Sequence, residues 1–309
     1  MASTIPSSDL GSFHAHLKTS TRVLALLGAG LSASSGLPTF RGADGLWRTH
    51  SATSLATPQA FLVNPSLVWQ FYSHRRHMAL NASPNPAHDA LAALARALPG
   101  FQCLSQNVDG LSRRAGHPPD QLQLLHGTLF SVKCSNETEC GHQEPNFTDP
   151  IVPALAIPTS GADPTSNTAR HHNNGEQDIS NISVPLAEIP LHALPICPKC
   201  TSHLLRPGVV WFGEPLPPSV LKTVDRYIDA GPIDLILVIG TSAKVWPAAG
   251  YIDEAREQGA RVCVVNLDES DSPPAGWTEG DWFFRGDAAV VVPQLLGPVI
   301  GDGDVLVSR

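Results

Sequence analysis

The stretch VLALLGAGLSASSG, residues 23–36, is a short apolar run that leads directly into a glycine-rich turn. Five apolar residues at 23–27 have the length and composition of a strand buried on both faces. Gly28 and Gly30 would let the backbone approach a pyrophosphate closely, and the N-terminus of a following helix would offer unpaired N–H groups to its charge. The stretch therefore predicts the entry to a nucleotide-binding α/β unit.

The spacing of these glycines matches the fingerprint of redox dehydrogenases imperfectly. The third glycine, Gly36, comes late for the pattern G-x-G-x-x-G, and the acid that usually binds the ribose after this loop is not evident. A redox dehydrogenase is therefore the weaker interpretation. A plain glycine turn without a ligand is the simplest alternative.

The rest of the chain continues the alternation of strands and helices. Further apolar runs, separated by segments with helical patterning, occur at 101–104, 235–239 and 261–265. Such alternation predicts an α/β fold, a Rossmann-like parallel sheet with helices on both faces. We expect this nucleotide-binding domain to be discontinuous, formed by 9–133 and 205–300.

Four of the six cysteines flank the segment between these two parts, at Cys134, Cys140, Cys197 and Cys200. Four thiolates can bind a tetrahedral Zn²⁺ that closes a small module without a core of its own. The sequence therefore predicts a small zinc-binding module at 134–204. The zinc would be structural, because four protein ligands leave no coordination position for a substrate.

The spacing of the first cysteine pair leaves an alternative open. Five residues separate Cys134 from Cys140, which is wider than the usual two to four, so His142 is the substitute ligand. Free structural thiols are the alternative to a metal site. Between the pairs, 141–196 is rich in Pro, Ser, Asn, Thr and His, which predicts a flexible surface insertion.

The charge balance argues against several classes of partner. The chain of 309 residues carries 20 Lys and Arg against 28 Asp and Glu, a formal net charge of −8. Such a field would repel phosphate backbones and anionic lipids, so neither direct nucleic-acid binding nor a membrane role is expected. No apolar run approaches the roughly 18 residues that span a bilayer.

A second motif follows the glycine turn, LPTFRG at 37–42 and then GLW at 45–47. An aromatic ring and an arginine next to a phosphate-binding loop could cover a nicotinamide ribose and bind its charge. The alternative for Phe40 and Trp47 is a simple role in the core.

With this motif the chain resembles the sirtuin family, because GAGLSASSGLPTFRG is similar to the cofactor-loop signature of that family. Five further segments are similar to sirtuin motifs and follow in family order: Gln106–Leu111, Leu125–Gly127, Gly208–Glu214, Gly240–Ser242 and Val264–Asn266. The resemblance spans about residues 9–292. It implies an enzyme that consumes NAD to remove acyl groups from lysine side chains of other proteins.

The resemblance also implies which residues act. The catalytic residues would be His126, Asn107 and Asp109, with His126 as the general base, a task that suits an imidazole near neutral pH. Residues implied to line the NAD site are Gly28, Ala29, Gly30, Ser32, Pro38, Thr39, Phe40, Arg41, Trp47, Gln106, Asn107, Asp109, His126, Gly240, Thr241, Ser242, Asn266, Leu267 and Asp268.

The implied reaction begins when the acyl oxygen of the modified lysine attacks the nicotinamide ribose and nicotinamide leaves. His126 then helps to deprotonate a ribose hydroxyl, which attacks the imidate carbon and leads to 2′-O-acyl-ADP-ribose and free lysine. Asn107 and Asp109 would orient the nicotinamide carboxamide and the ribose. This path needs a water-poor pocket, since water would otherwise hydrolyse NAD.

The nature of the acyl group is indicated by Tyr72 and Arg75, which lie three residues apart in a predicted helix at 67–80 and share a face. A guanidinium beside a phenol can bind the distal carboxylate of a succinyl, malonyl or glutaryl group. Together with a small residue at Ala56, the pair resembles the class III sirtuins, which favour such groups. The alternative is a solvated helix face with Tyr72 packed beneath it.

The loop Val210, Trp211, Phe212 and Gly213 is the predicted peptide-binding segment, on which an extended acyl-lysine peptide would pair as an added strand. Alternative activities are general deacetylation of histones or other proteins and protein ADP-ribosylation. An NAD-sensing scaffold without turnover is disfavoured, because His126, Asn107 and Asp109 are all present.

The compartment and the assembly are indicated only by exclusion. The N-terminus lacks the pattern of a secretory signal, and the first predicted elements leave little chain for a transit peptide, in which Asp9 would be out of place. A cytoplasmic or nuclear protein is expected, with the mitochondrial matrix as the alternative. We expect a monomer.

Overall fold

The computed structural model describes residues 7–39, 45–159 and 175–301. Its α-helices are α1 (Ser7–Thr19), α2 (Ala52–Leu55), α3 (Pro58–Val63), α4 (Pro65–Asn81), α5 (Pro86–Ala97), α6 (Leu111–Arg114), α7 (Pro218–Asp229), α8 (Gly250–Glu257) and α9 (Ala288–Ile300). Its strands are β1 (Val23–Leu27), β2 (Leu46–Trp47), β3 (His50–Ser51), β4 (Phe101–Ser105), β5 (Leu122–Leu124), β6 (Gly127–Cys134), β7 (Gln143–Pro145), β8 (Leu205–Val209), β9 (Leu235–Ile239), β10 (Arg261–Asn266) and β11 (Trp282–Arg285).

The described residues form two compact units. The first consists of the residues up to Thr39, of Ala82–His126 and of those from Pro215 onwards. The second consists of residues 45–81 and of the described residues within Gly127–Glu214.

A six-stranded parallel sheet, in the order β11-β10-β9-β1-β4-β5, is the centre of the first unit. Leu27 at the end of β1 pairs with Ser105 of β4 on one side and with Ile239 of β9 on the other. The carboxyl ends of these three strands are therefore side by side, at the point where the strand order reverses. In parallel α/β sheets ligands bind at such a switch point.

Helices cover both faces of this sheet. Phe13 of α1, Leu91 of α5 and Val291 of α9 belong to the apolar core on one face. On the other face α8 contacts β1, β9 and β10. Strands β1, β4 and β9 are buried along their whole length. The predicted Rossmann-like parallel sheet with helices on both faces is confirmed.

The second unit is built on a three-stranded antiparallel sheet, β7-β6-β8, and on the long helix α4. The indole Nε1 of Trp69 donates a hydrogen bond to the carbonyl oxygen of Leu205 in β8, at 2.9 Å. The structure thus groups α4 with the cysteine-containing segment, whereas the sequence placed it with the first domain. The reason is tertiary packing between segments more than 100 residues apart.

The predicted insertion, 141–196, is in part attached to α4. Ser73 donates a hydrogen bond to the carbonyl oxygen of Leu155 at 3.1 Å, and Gln70 donates one to that of Ala187 at 3.3 Å. Arg48, after β2, donates to the carbonyl oxygens of Ile179 and three neighbouring residues. Residues 160–174 lie outside the described residues, so the flexibility of the insertion stays a prediction.

Across the three described segments, no helix combines the length and the apolar character that crossing a bilayer requires.

Arg76 places a charged guanidinium in the interior of the second unit, with 1% of the residue exposed. Its guanidinium donates to Leu129 O, to Asn146 O and Oδ1, and to Thr148 O. We expect Arg76→Met to lower the free energy of unfolding by about 3 kcal/mol or more, because each orphaned buried acceptor costs about 1–3 kcal/mol. Thermal melting, with hydrogen exchange of β6, measures the loss.

Arg226→Met is the matched control for this prediction. Arg226 is exposed on α7, and its Nε donates to the carbonyl oxygen of Lys222 in the same helix. This variant should change stability by no more than about 0.5 kcal/mol. Equal melting of the Arg76 and Arg226 variants would contradict the anchoring role of Arg76.

Candidate functional site

The glycines after β1 are required by close contact with the loop after β9. The N–H of Gly30 donates to the carbonyl oxygen of Gly240 at 2.9 Å. A Cβ at Gly28 would stand 2.6 Å from Gly240 O, and one at Gly30 would stand 2.8 Å from Gly240 Cα. The glycine pattern thus lets two backbone loops touch, in addition to any room that it leaves for a pyrophosphate.

The turn continues as a 3₁₀-helix, Ala29–Ser35, and ends at Gly36 with φ of 81°. Ser32, in this helix, is 1% exposed. The predicted helix after the glycine turn is therefore short and tight. The Ser32 side chain points into the protein, where it meets the loop after β4.

Asn107 and Asp109, both predicted catalytic residues, converge on this turn. The Ser32 hydroxyl donates a hydrogen bond to Asp109 Oδ2 at 2.7 Å, and Asn107 Nδ2 donates to the carbonyl oxygen of Gly28 at 3.0 Å. The other carboxylate oxygen of Asp109 accepts from the N–H of Leu111 at 2.8 Å. Both side chains are thereby fixed next to the glycine turn.

His88 completes this network, and the sequence reasoning did not include it. Its Nδ1 accepts from the N–H of Asn85 at 3.2 Å, so the ring proton is on Nε2, which lies 3.3 Å from Ser32 Oγ. Burial lowers the pKa of His88, against the opposing charge of Asp109, and keeps the ring neutral. The feature of the sequence that could have indicated His88 is its spacing from Asn85, because the two residues form a capping box at the start of α5.

The ends of β4, β9 and β10 are joined by side-chain amides. Gln106 Nε2 donates to Thr241 Oγ1 at 3.1 Å. Asn266 Nδ2 donates to the carbonyl oxygen of Thr241 and to Asp271 Oδ2, both at 2.9 Å. Asp271 is 2% exposed and is a second residue that the sequence reasoning missed. Among the other residues predicted to line the NAD site, Ser242 is half-buried, and Leu267 and Asp268 are exposed.

His126 follows the end of β5, where the N–H of Leu125 donates to Ser105 O at 2.9 Å. Its Nδ1 lies 3.1 Å from the carbonyl oxygen of Gln106. A carbonyl oxygen only accepts, so Nδ1 carries the ring proton and Nε2 has a free lone pair. Burial lowers the pKa of His126, opposed by this hydrogen bond. The imidazole is therefore neutral at physiological pH, with Nε2 available to take a proton.

Five other residues predicted to bind the cofactor do not lie in this polar cluster of the described structure. Phe40 and Arg41 lie outside the described residues, and Pro38 and Thr39 end the segment before them. Trp47 is 4% exposed in the core of the second unit, and its Nε1 donates to His74 Nδ1 at 3.3 Å. This packing supports the core role for Trp47, and its contact with NAD stays a prediction.

The predicted acyl-binding residues are neighbours in the second unit. Tyr72 is 4% exposed and its hydroxyl accepts a hydrogen bond from Trp211 Nε1 at 2.9 Å. Burial raises the pKa of Tyr72 to about 12, although the charge of Arg75 acts in the opposite direction. The carbonyl oxygen of Ala56 accepts from the N–H of Phe212 at 2.9 Å. Hydrogen bonds thus connect Tyr72 of α4, and also Ala56, to the loop that contains Trp211 and Phe212.

Two residues absent from the predicted site hold Trp211 in place. The guanidinium carbon of Arg206 lies 3.4 Å from the centroid of the Trp211 ring. A carboxylate oxygen of Glu214 accepts from Arg206 Nη2 and from the N–H of Trp211, both at 2.8 Å. Glu214 stood in a recognised motif, whereas nothing in the local sequence pointed to Arg206.

All four predicted zinc ligands come together, with their sulfur atoms within 4.8 Å of one another. The Sγ–Sγ distance is 3.7 Å for Cys134 with Cys200 and for Cys140 with Cys197. A zinc ion with bonds of about 2.3 Å to four sulfurs requires about 3.8 Å between them, so the cluster fits Zn²⁺. The substitute ligand, His142, has its Nε2 atom 3.3 Å from Oε2 of Glu144 instead.

Comparison with known proteins agrees with these features. The model of the Sir2 family matches residues 28–247. An NAD-dependent protein deacylase from Candida albicans is 43% identical over 306 residues, which cover 96% of this chain and 99% of the relative. The mitochondrial NAD-dependent protein deacylase sirtuin-5 of the dog is 39% identical and covers 95% of this chain, with 86% of the relative matched.

A solved structure of a Sir2 homologue in complex with NAD superposes with a TM-score of 0.72 at 36% identity, over 96% of this chain and 95% of that chain. The extent of these matches, over both units and all the motifs, shows the family. The chain belongs to the Sir2 family, the sirtuins.

Proposed function

We propose that this protein is an NAD-dependent protein lysine deacylase. The observation that carries the proposal is the polar cluster at the carboxyl edge of the parallel sheet, with a neutral imidazole at His126 whose Nε2 can accept a proton. Relatives named NAD-dependent protein deacylase, from Candida albicans and from Daphnia pulex, support it.

NAD, when bound at this edge, supplies the activated ribose to which the acyl group is transferred. We propose that Asn107 and Asp109 orient it, because Ser32 and the backbone of Gly28 hold both side chains. His126 takes a proton from a ribose hydroxyl at Nε2, while the hydrogen bond from Nδ1 to Gln106 O fixes the ring. The deprotonated hydroxyl attacks the carbon of the acyl group, and after addition of one water molecule the products are nicotinamide, 2′-O-acyl-ADP-ribose and free lysine.

The acyl groups that we propose are succinyl, malonyl and glutaryl, all of which end in a carboxylate. Arg75 provides a permanent positive charge beside the Tyr72 phenol, since its field acts on the pKa of that phenol. A guanidinium can bind a carboxylate through two parallel hydrogen bonds. Ala56 is small and 7% exposed, which leaves room beside the loop that contains Phe212.

The substitution Arg75→Met tests this acyl preference. We expect the wild type to have a higher kcat/KM for a succinyl-lysine peptide than for the matched acetyl-lysine peptide. Loss of a charge-assisted, bidentate contact worth about 1.5–3 kcal/mol should lower the succinyl value by about 10- to 100-fold. Nicotinamide release, measured with both peptides, gives the two constants.

Arg226→Met, which removes an exposed arginine of α7, is the control, and both peptides should react as with the wild type. Equal kcat/KM for the two peptides in the wild type would refute the acidic-acyl preference. It would favour a general deacetylase. Labelled ADP-ribose found on protein instead of in solution would identify an ADP-ribosyltransferase.

The protein substrate, we propose, binds as an extended strand along the loop after β8. Trp211 and Phe212 already donate their N–H groups, to Glu214 and to Ala56 O. A pairing peptide would therefore use the donors of Val210 and Gly213 and the carbonyl oxygens of the loop. Because such contacts are mostly to main chain, recognition would tolerate many substrate sequences.

Two relatives, sirtuin-5 of the dog and sirtuin-5A of Xenopus laevis, are named as mitochondrial. They support the mitochondrial matrix as the compartment, whereas a cytoplasmic or nuclear location stays a prediction. Monomeric assembly and the lack of nucleic-acid binding also stay predictions.

A further inference from the structure

The phenol of Tyr72 meets the indole of Trp211 inside the second unit. Tyr72 Oη lies 2.9 Å from Trp211 Nε1, and the two side chains are 4% and 2% exposed. An indole N–H can only donate, so the phenol oxygen is the acceptor of this hydrogen bond. The chemistry of the two groups therefore fixes the direction of this hydrogen bond.

A phenol that accepts from an indole keeps its own proton for another partner. Within residues 7–39, 45–159 and 175–301, the structure provides no acceptor for the Tyr72 O–H. A buried donor without an acceptor is costly, at about 1–3 kcal/mol, so such a group marks a place for a ligand atom that accepts. Burial also raises the pKa of Tyr72 to about 12, which keeps the proton on at neutral pH.

Neighbouring side chains fix the orientation of the Trp211 indole. Arg206 lies over its ring, with the guanidinium carbon 3.4 Å from the ring centroid. Glu214 holds both the guanidinium and the N–H of Trp211. Phe61 closes another side, with ring centroids 5.4 Å apart. Trp211 therefore presents its N–H to Tyr72 from a rigid position.

We propose that Trp211 determines acyl-group specificity by positioning Tyr72 as a hydrogen-bond donor. With the Trp211 N–H on its oxygen, the Tyr72 phenol directs its own proton to a ligand, and the guanidinium of Arg75 can also only donate. A carboxylate, which only accepts, complements that pair, whereas an acetyl methyl group leaves the phenol proton unpaired. The inference rests on the proposed function and assigns Trp211 a role beyond lining the peptide-binding loop.

The substitution Trp211→Phe removes the N–H donor and keeps an aromatic ring. The Tyr72 phenol is then free to accept from other donors. We expect the ratio of kcat/KM for succinyl-lysine over acetyl-lysine peptides to fall about five- to tenfold, the equivalent of one hydrogen bond. A merely structural role would reduce both activities together and leave this ratio unchanged.

Trp69→Phe is the matched control. Trp69 is equally buried in the same unit, and its Nε1 donates to the carbonyl oxygen of Leu205 at 2.9 Å, away from Tyr72. This variant should leave the succinyl-to-acetyl ratio at the wild-type value. It accounts for any general effect of replacing a buried tryptophan.

A double-mutant comparison isolates the coupling between the two side chains. In a Tyr72→Phe background the phenol is gone, so Trp211→Phe should change the ratio by less than about twofold, because the coupled pair has already been broken. An unchanged ratio in the single Trp211→Phe variant, or an equal fall in the Tyr72→Phe background, would overturn the inference. A wild type without preference for succinyl-lysine would instead overturn the proposed acyl specificity.

Discussion

Replacement of His126 by alanine is expected to lower kcat for NAD-dependent deacylation by about 10²–10⁴-fold, the usual contribution of a general base. The reason is the free lone pair on Nε2, which exists because Nδ1–H is held by Gln106 O. Nicotinamide release and formation of the acyl-ADP-ribose product, followed with a succinyl-lysine peptide, measure the effect. The fold should be retained, because within the described part of the chain the ring makes one hydrogen bond, and it is only half-buried.

The pH profile gives an independent test of the same residue. Burial lowers the pKa of His126 below the ordinary value of 6.5. The base form therefore persists as the pH falls through 6.5, and kcat/KM should decline only at lower pH. An acid limb centred above 6.5 would contradict a His126 imidazole whose pKa is lowered. His192→Ala, which removes an exposed imidazole, should leave both rate and profile unchanged.

The sheet was predictable because its strands are buried on both faces. Continuous apolar runs at 23–27 and 235–239 coincide with β1 and β9. The grouping of α4 with the cysteine segment could not be read in the same way. It depends on contacts such as that of Trp69 with Leu205, which leave no periodic pattern in the sequence.

Part of the site was predictable for a different reason. Asn107, Asp109 and His126 stand in segments whose resemblance to a family carries their roles. His88 acts through a hydrogen bond with Ser32, 56 residues away in the sequence, and Arg206 acts by stacking on Trp211; neither contact leaves a pattern in the sequence. For Gly28 and Gly30 the sequence explained the residue type incompletely, because the lack of a side chain is also required by contact with Gly240 in the loop after β9.

Replacement of Cys197 by serine is expected to abolish zinc binding and to unfold the zinc-binding part of the second unit. The sulfurs of Cys197 and Cys140 are 3.7 Å apart, so loss of one thiolate opens the tetrahedral set. Structural zinc contributes about 10–16 kcal/mol of apparent binding free energy in zinc-finger peptides. That is comparable to the roughly 5–15 kcal/mol by which whole domains are stable.

Zinc content of the purified full-length chain, measured by elemental analysis, is the primary readout and does not depend on activity. Cys263→Ala is the control, because Cys263 is a buried thiol of β10 in the first unit, outside the cluster. That variant and the wild type should each hold one zinc per chain. A Cys197→Ser protein that retains a full equivalent of zinc would contradict the four-cysteine site.

Hydrogen exchange would locate the damage. In Cys197→Ser, the amides of β6 and β8 should lose protection, because these strands flank the cysteine cluster and pair with each other. The amides of β1 and β9 should stay protected, since the parallel sheet has its own apolar core. This pattern of exchange would show that zinc stabilises the second unit, while the parallel sheet at the cofactor edge is stable without it.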